Sequence, residues 1–271
     1  MKKSKLYVVL SAALLFGSNP AIAQDFSLGA RGGLSIPNLS APGSGQTPLN
    51  TGYSSRLGQD FAVFAEFKFS KLFSLQPMVE YSSQGGKKDG LQALAVPDEL
   101  RPLFPPGMTP QYLFADYKSE AKLNYLMIPV LAKFGWDLGD LPLRLYVNAG
   151  PFVSFLLSAK QETSGQSELY LDEGGRQALP VGPQSFNNTE DIKNKLYTVN
   201  FGIEGNLGLN YRFGAHNIFI EGGGNYGLLN IQKDPMIGKN NTGGATANIG
   251  YSYYFGKHTP QPAQGNNSSE E

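Results

Sequence analysis

From Phe26 onward the hydrophobic positions recur at every second residue, the spacing of a strand with one apolar face. The first stretch sets Phe26, Leu28, Ala30, Gly32, Leu34 and Ile36 against Ser27, Gly29, Arg31 and Ser35. Further stretches with this period cover Phe61 to Phe69, Phe73 to Ser82, Leu143 to Leu157, Thr198 to Leu209, Asn217 to Leu228 and Ala245 to Phe255. A stretch at about Leu123 to Phe134 is apolar on both faces. Taking Leu126, Ile128, Val130, Ala132 and Phe134 as its apolar face turns Lys133 away from that face. Eight strands are therefore predicted.

Their connections alternate in length. Short ones fall around Ser70-Lys71, at Gly135 to Pro142 and at Tyr211 to His216. Long ones cover Pro37 to Gln59, Gly85 to Lys122, Ala159 to Lys195 and Asn230 to Gly244. Short turns at one end and long loops at the other are the layout of an outer-membrane barrel. A soluble β-sandwich also alternates, but here every strand charge falls on the face opposite the apolar one. Aromatics of the apolar face also collect at strand ends. Phe26, Phe69, Phe73, Phe134, Tyr211 and Phe255 lie towards the short turns, and Phe61, Tyr81, Phe155 and Tyr226 towards the long loops. Two such girdles around an aliphatic band suit two lipid interfaces. The expected fold is all-β, an eight-stranded antiparallel transmembrane barrel over residues 24–255.

The segment before the first strand reads as an export leader. Lys2, Lys3 and Lys5 precede an apolar run from Leu6 to Phe16, and Ala21-Ile22-Ala23 gives a small-x-small cleavage pattern, so mature protein begins at Gln24. The apolar run is well short of the roughly 20 residues that a spanning helix needs. These features place the protein in the cell outer membrane, long loops extracellular and both mature termini periplasmic. Residues 256–271 are rich in Pro, Gln, Asn and Ser and read as a disordered periplasmic tail, inert or a point of contact.

Composition narrows the function. The 33 glycines among 271 residues exceed the usual share of about 7% and suit tightly coiled strands. Absence of cysteine excludes disulfide frameworks and thiol nucleophiles. With 22 basic and 22 acidic side chains there is no electrostatic footprint for nucleic acid. The only histidines, His216 and His258, fall in a short turn and in the tail. Neither reaches the long-loop side, so a Ser-His-acid arrangement or a histidine-bearing metal site is not expected there. Glu168, Asp172 and Glu173 form a solvated acidic group or at most a weak cation site. No enzyme activity and no cofactor are expected.

Inward charges are more informative. Arg31, Lys68, Lys133 and Arg144 match Glu66, Glu80, Glu204 and Glu221 in number. An eight-stranded bore is just filled by its own side chains, and buried ions need partners. The alternatives are a neutralised plug and an ion-lined pore, and the plug is preferred. Between Leu91 and Phe114 five prolines interleave with large apolar groups, among them Leu103, Phe104, Tyr112 and Phe114. That segment reads as a lid over the mouth or as a hydrophobic contact surface. On the outer wall Gly222, Gly224, Ala245, Ala247, Ala30 and Gly32 are small where other sites hold large aliphatics. They offer a smooth face for a membrane-protein partner or a second copy, or they relieve coiling near the closing seam.

Leu75-Gln76-Pro77-Met78-Val79-Glu80-Tyr81-Ser82-Ser83-Gln84-Gly85-Gly86-Lys87 resembles the third strand of the generic outer-membrane β-barrel family often called porin family protein. Leu123 to Pro129, Gly150-Pro151-Phe152, Tyr226-Gly227-Leu228 and Asn230-Ile231 continue the resemblance along the mature chain. It implies fold and location, and says little about activity. Some relatives are associated with a protein-secretion system and gliding, but no residue here identifies that subgroup. At Met127 many relatives carry an inward acidic residue, so the resemblance carries no lumen network through this position. The final strand, with Asn248, Gly250, Tyr253 and Phe255, resembles the signal read by the barrel-assembly machinery. The implied partners are outer-membrane lipid and that machinery. The function classes left open are an interaction protein, which is preferred, and a narrow pore or hydrophobic-ligand conduit.

Overall fold

The computed structural model describes residues 25–256. The expected leader, its cleavage site, His258 and the tail lie outside the described residues. The alternation is realised as eight long strands: β1 (Phe26–Ser40), β2 (Gly58–Lys68), β3 (Phe73–Ala95), β4 (Tyr112–Asp137), β5 (Leu143–Ser164), then β9 (Val199–Phe213), β10 (His216–Gly227) and β11 (Asn241–Phe255). The short strands β6 (Gln166–Ser167), β7 (Gln184–Ser185) and β8 (Asn188–Asp191) lie in the third long connection. The order β4-β3-β2-β1-β11-β10-β9-β5 returns to its start through β4–β5 pairing, so the ring is closed and antiparallel. Among the described residues the ring of eight long strands is left with no open edge across the apolar band.

Each strand presents its two faces to opposite environments. Ile220, Ile249 and Val63 point outward and are 58%, 62% and 59% exposed, while Arg31, Glu80, Glu204 and Glu221 point inward and are at most 5% exposed. A soluble sandwich buries the first set and exposes the second; a barrel in lipid does what is seen. At the short-turn end outward aromatics stack around the rim, with ring centroids 4.9 Å apart for Phe26 and Phe255, 5.7 Å for Phe69 and Phe73, and 5.2 Å for Phe73 and Phe134. The β9–β10 turn has only Gly214 and Ala215 between paired Phe213 and His216, and Gly214 takes φ +61°, a left-handed conformation that glycine adopts freely.

Two apolar layers fill the bore. Phe64, Met78, Leu131, Tyr146 and Phe219 form one; Leu123, Tyr125, Met127, Phe152, Leu156, Leu196 and Ile231 belong to the other, nearer the long loops. These inward groups explain why the fourth stretch was apolar on both faces. Its outward set is the one inferred from Lys133, and Met127 belongs to the upper layer.

The long connections are shorter than the sequence suggested. β3 and β4 remain paired from Gly85 and Lys122 up to Ala95 and Tyr112. The expected loop from Gly85 to Lys122 is therefore a hairpin whose non-strand tip spans only residues 96–111. Its strands escape a period-two reading because outward positions above the apolar band turn polar (Lys87, Asp89, Lys118, Glu120, Lys122). The hairpin leans on the third connection. Val96, Leu113, Ala115, Leu169 and Leu179 form a separate small core there, and the rings of Tyr117 and Phe186 stack at 4.4 Å.

Candidate functional site

The polar centre of the bore lies between the apolar layers, with Glu80 opposite Met127 in the strand register. Arg31, from β1, is its hub. Its Nη2 donates to Glu80 Oε2 at 2.6 Å and to Glu204 Oε1 at 2.8 Å, and Nη1 donates to Glu221. Asp60 is within 3.9 Å of Nε. Tyr146 donates its hydroxyl to Glu221 at 2.8 Å, Asn206 its amide to Glu204 at 3.0 Å, and Ser82 its hydroxyl to Asp60 at 3.1 Å. Nearer the short turns, Lys133 pairs with Glu66 at 2.9 Å while its ammonium lies 4.1 Å from the Tyr146 ring centroid.

This distribution corrects the expected four-against-four balance. One guanidinium serves four carboxylates at the hub. Lys68 lies against the Tyr254 ring at 4.4 Å instead, and Arg144 sits at the short-turn rim, bonded to Asp137 at 2.9 Å and to the Lys71 carbonyl. Asp60, fully buried, was missed. It precedes Phe61 by one step, and extending the second alternating stretch by that step places it inward. Glu80 Oε1, Glu204 Oε2 and Arg31 Nε have no partner among the described residues. The arrangement joins side chains of β1, β2, β3, β9 and β10 across the bore. Among the described residues, no group of three or more His, Asp or Glu is placed to hold a metal ion.

The small-residue wall is divided. Gly222 pairs with Ala247 and Gly224 with Ala245, and on β1 the neighbours of those alanines are Leu34 and Ile36. Ala30 and Gly32 lie further down β1, opposite Tyr251 and Ile249. The six residues therefore do not form one smooth face; strand register, which composition cannot give, separates four from two. In the final strand Asn248 points inward towards Asp60 at 3.4 Å, while Tyr253 and Phe255 join the aromatic rim with centroids 4.7 Å apart. Gly250 leaves the space that the Phe219 ring fills, and an added Cβ would collide with it.

At the long-loop end the connections are tied together. Thr47 donates its hydroxyl to the Ile237 carbonyl at 2.7 Å, Asn50 its amide to Lys239 O at 3.0 Å, and Asn240 its amide to Asn50 O at 3.1 Å. These ties join the first and fourth connections and carry no sequence signature. Of the four residues expected to make loop contacts, Phe104 packs half-buried beside the small core, while Tyr112 and Phe114 are half-buried in β4. Only Leu103 stands out, 56% exposed, near Met108 at 71%. Lys88, above the apolar band, is only 7% exposed. Its ammonium donates to Leu49 O at 2.8 Å and lies 4.5 Å from the Tyr53 ring centroid. Burial lowers the Lys88 pKa to about 8 and, aided by Tyr117, raises that of Tyr53 to about 12.

Residues 22–233 match the family described as outer membrane protein beta-barrel domain. Among solved structures the chain is similar to Neisserial surface protein A, at 13% identity and a TM-score of 0.36, covering 83% of this chain and 95% of that one. It is similar to Ail, the attachment invasion locus protein of Yersinia pestis, at 8% identity and a TM-score of 0.35, covering 84% and 99%. The N-terminal β-barrel domain of Pseudomonas aeruginosa OprF follows at 11% identity and 0.31, covering 86% and 98%. A comparison with curated protein sequences finds no match.

Proposed function

The chain belongs to the outer membrane protein beta-barrel domain family, and on that premise we propose that it is a closed, non-enzymatic scaffold presenting an extracellular projection to a protein partner. In this reading the long connections face outward and both ends of the barrel, Phe26 and Phe255, face the periplasm. The observation that carries it is the continuation of β3 and β4 beyond the apolar band onto a core of their own. A loop that only needed solvation would not require such a core. The proline-stiffened tip then holds Leu103 and Met108 in solvent at little entropic cost. The side chains filling the bore support a plug over a pore.

Two measurements test this. A photo-crosslinking residue at Leu103 or Met108 in intact cells should trap a discrete protein adduct that the same residue at outward Val63, in the lipid band, does not. In planar bilayers the purified protein should show no steady conductance of porin size. Large reproducible channels would overturn the plug, and a tip without adducts would overturn the partner role.

A further inference from the structure

At the mouth of the barrel all four long connections converge on one cavity of ≈ 350 Å³, within the roughly 300–1,000 Å³ typical of small-molecule sites. Its floor is the upper apolar layer of the bore, where Leu123, Leu196 and Ile231 are at most 2% exposed. Three charged side chains line it. Glu190 and Lys195 pair at 2.6 Å near the surface and cancel each other. The third is Lys88, buried and in no ion pair among the described residues.

An ammonium has three donors. The Leu49 carbonyl takes one, and the Tyr53 ring offers only its face. Burying a charge without a counterion is costly, so the cavity wall carries an uncompensated cation beside an apolar floor. We infer that this cavity binds a lipophilic monoanion, its alkyl or aromatic body on the Leu123, Leu196 and Ile231 floor and its anionic head on Lys88. A cationic ligand would meet the wrong charge at Lys88. The lowered Lys88 pKa, about 8, still keeps the ammonium form dominant at neutral pH, and a bound anion restores its charge fully.

The test uses the mature protein refolded into nanodiscs of zwitterionic lipid, with equilibrium dialysis of decanoate, 1-naphthoate and neutral decanol, and empty discs subtracted. At least one acid should bind saturably at one site, and its identity distinguishes an alkyl from an aromatic body. Lys88→Met should weaken that binding about tenfold or more, roughly 1.4 kcal/mol, and leave decanol uptake unchanged. Should that variant fail to give the compact, heat-modifiable form, Ala93→Phe fills the cavity while keeping Lys88, and lost binding then supports the site. The inference is overturned if neither acid binds beyond empty discs, if decanol alone binds, or if a folded Lys88→Met or Ala93→Phe protein binds as the parent does.

Discussion

Replacing Arg31 by methionine keeps the volume of its stem and removes the only cation of the hub. Arg31 makes charge-assisted bonds to Glu80, Glu204 and Glu221 and lies near Asp60. Bonds of this kind contribute ~1.5–3 kcal/mol each, but relief of guanidinium desolvation offsets part of the sum. Removing one partner of a buried ion pair typically costs ~3–5 kcal/mol, because the remaining charge stays buried. Here four carboxylates would be left behind, and the upper part of that range is expected. The assay is urea unfolding in lipid vesicles, read by the heat-modifiable gel band. With a slope of ~1–3 kcal/mol per molar urea, the midpoint should fall by at least ~1 M. Adding Glu204→Gln and Glu221→Gln to Arg31→Met should recover part of the loss, since the damage is repulsion and not an empty space. A midpoint shift within error, or a deeper loss on neutralising the two glutamates, would refute the hub.

Lys88 makes stability depend on pH. Its folded pKa, about 8, is below the unfolded value of roughly 10.4, so between those values the unfolded chain binds more protons and stability rises with pH. The urea midpoint of wild type relative to Lys88→Met should therefore be lower at pH 7 than at pH 10; an unchanged difference would show that Lys88 is not desolvated. Gly250→Leu should abolish the heat-modifiable form by collision with Phe219, and Phe219→Ala should rescue it at least partly. A folded Gly250→Leu protein with wild-type stability would show that the ring has room to move.

The parts of the fold that face lipid were legible because lipid imposes one rule, an apolar residue at every second position. Lys133 alone sufficed to set the phase of β4. Above the band the rule lapses. Lys87, Glu120 and Lys122 point outward beside inward Ala121 and Leu123, and the extended hairpin reads as a loop. Most inward charges were legible, Asp60 excepted, but they could not be paired, since pairing depends on which strands meet across the bore. Composition gave Arg31 and Lys133 equal standing, yet one became a hub and the other a partner of Glu66. The mouth cavity is less legible still, because its lining is drawn from all four long connections. Lys88 differs from Lys87 by one step of the strand and in sequence looks like any surface lysine.

The pairing of β1 with β11 joins residues more than 200 positions apart, Phe26 with Phe255 at one end of the seam and Ser40 with Asn241 at the other. Until β11 arrives, β1 is an open edge. Its Arg31 also lacks Glu204 and Glu221, which β9 and β10 bring. The earliest strand in chain order thus carries a charge satisfied only by late ones, which penalises a ring closed without them. Closing so long a loop costs only (3/2)RT ln n in entropy, a slowly growing term, whereas a barrel missing its last strands would bury a guanidinium with two of its carboxylates absent. The hub thus disfavours a ring closed before β9 and β10 join, while β11, which seals the seam, adds none of its four carboxylates.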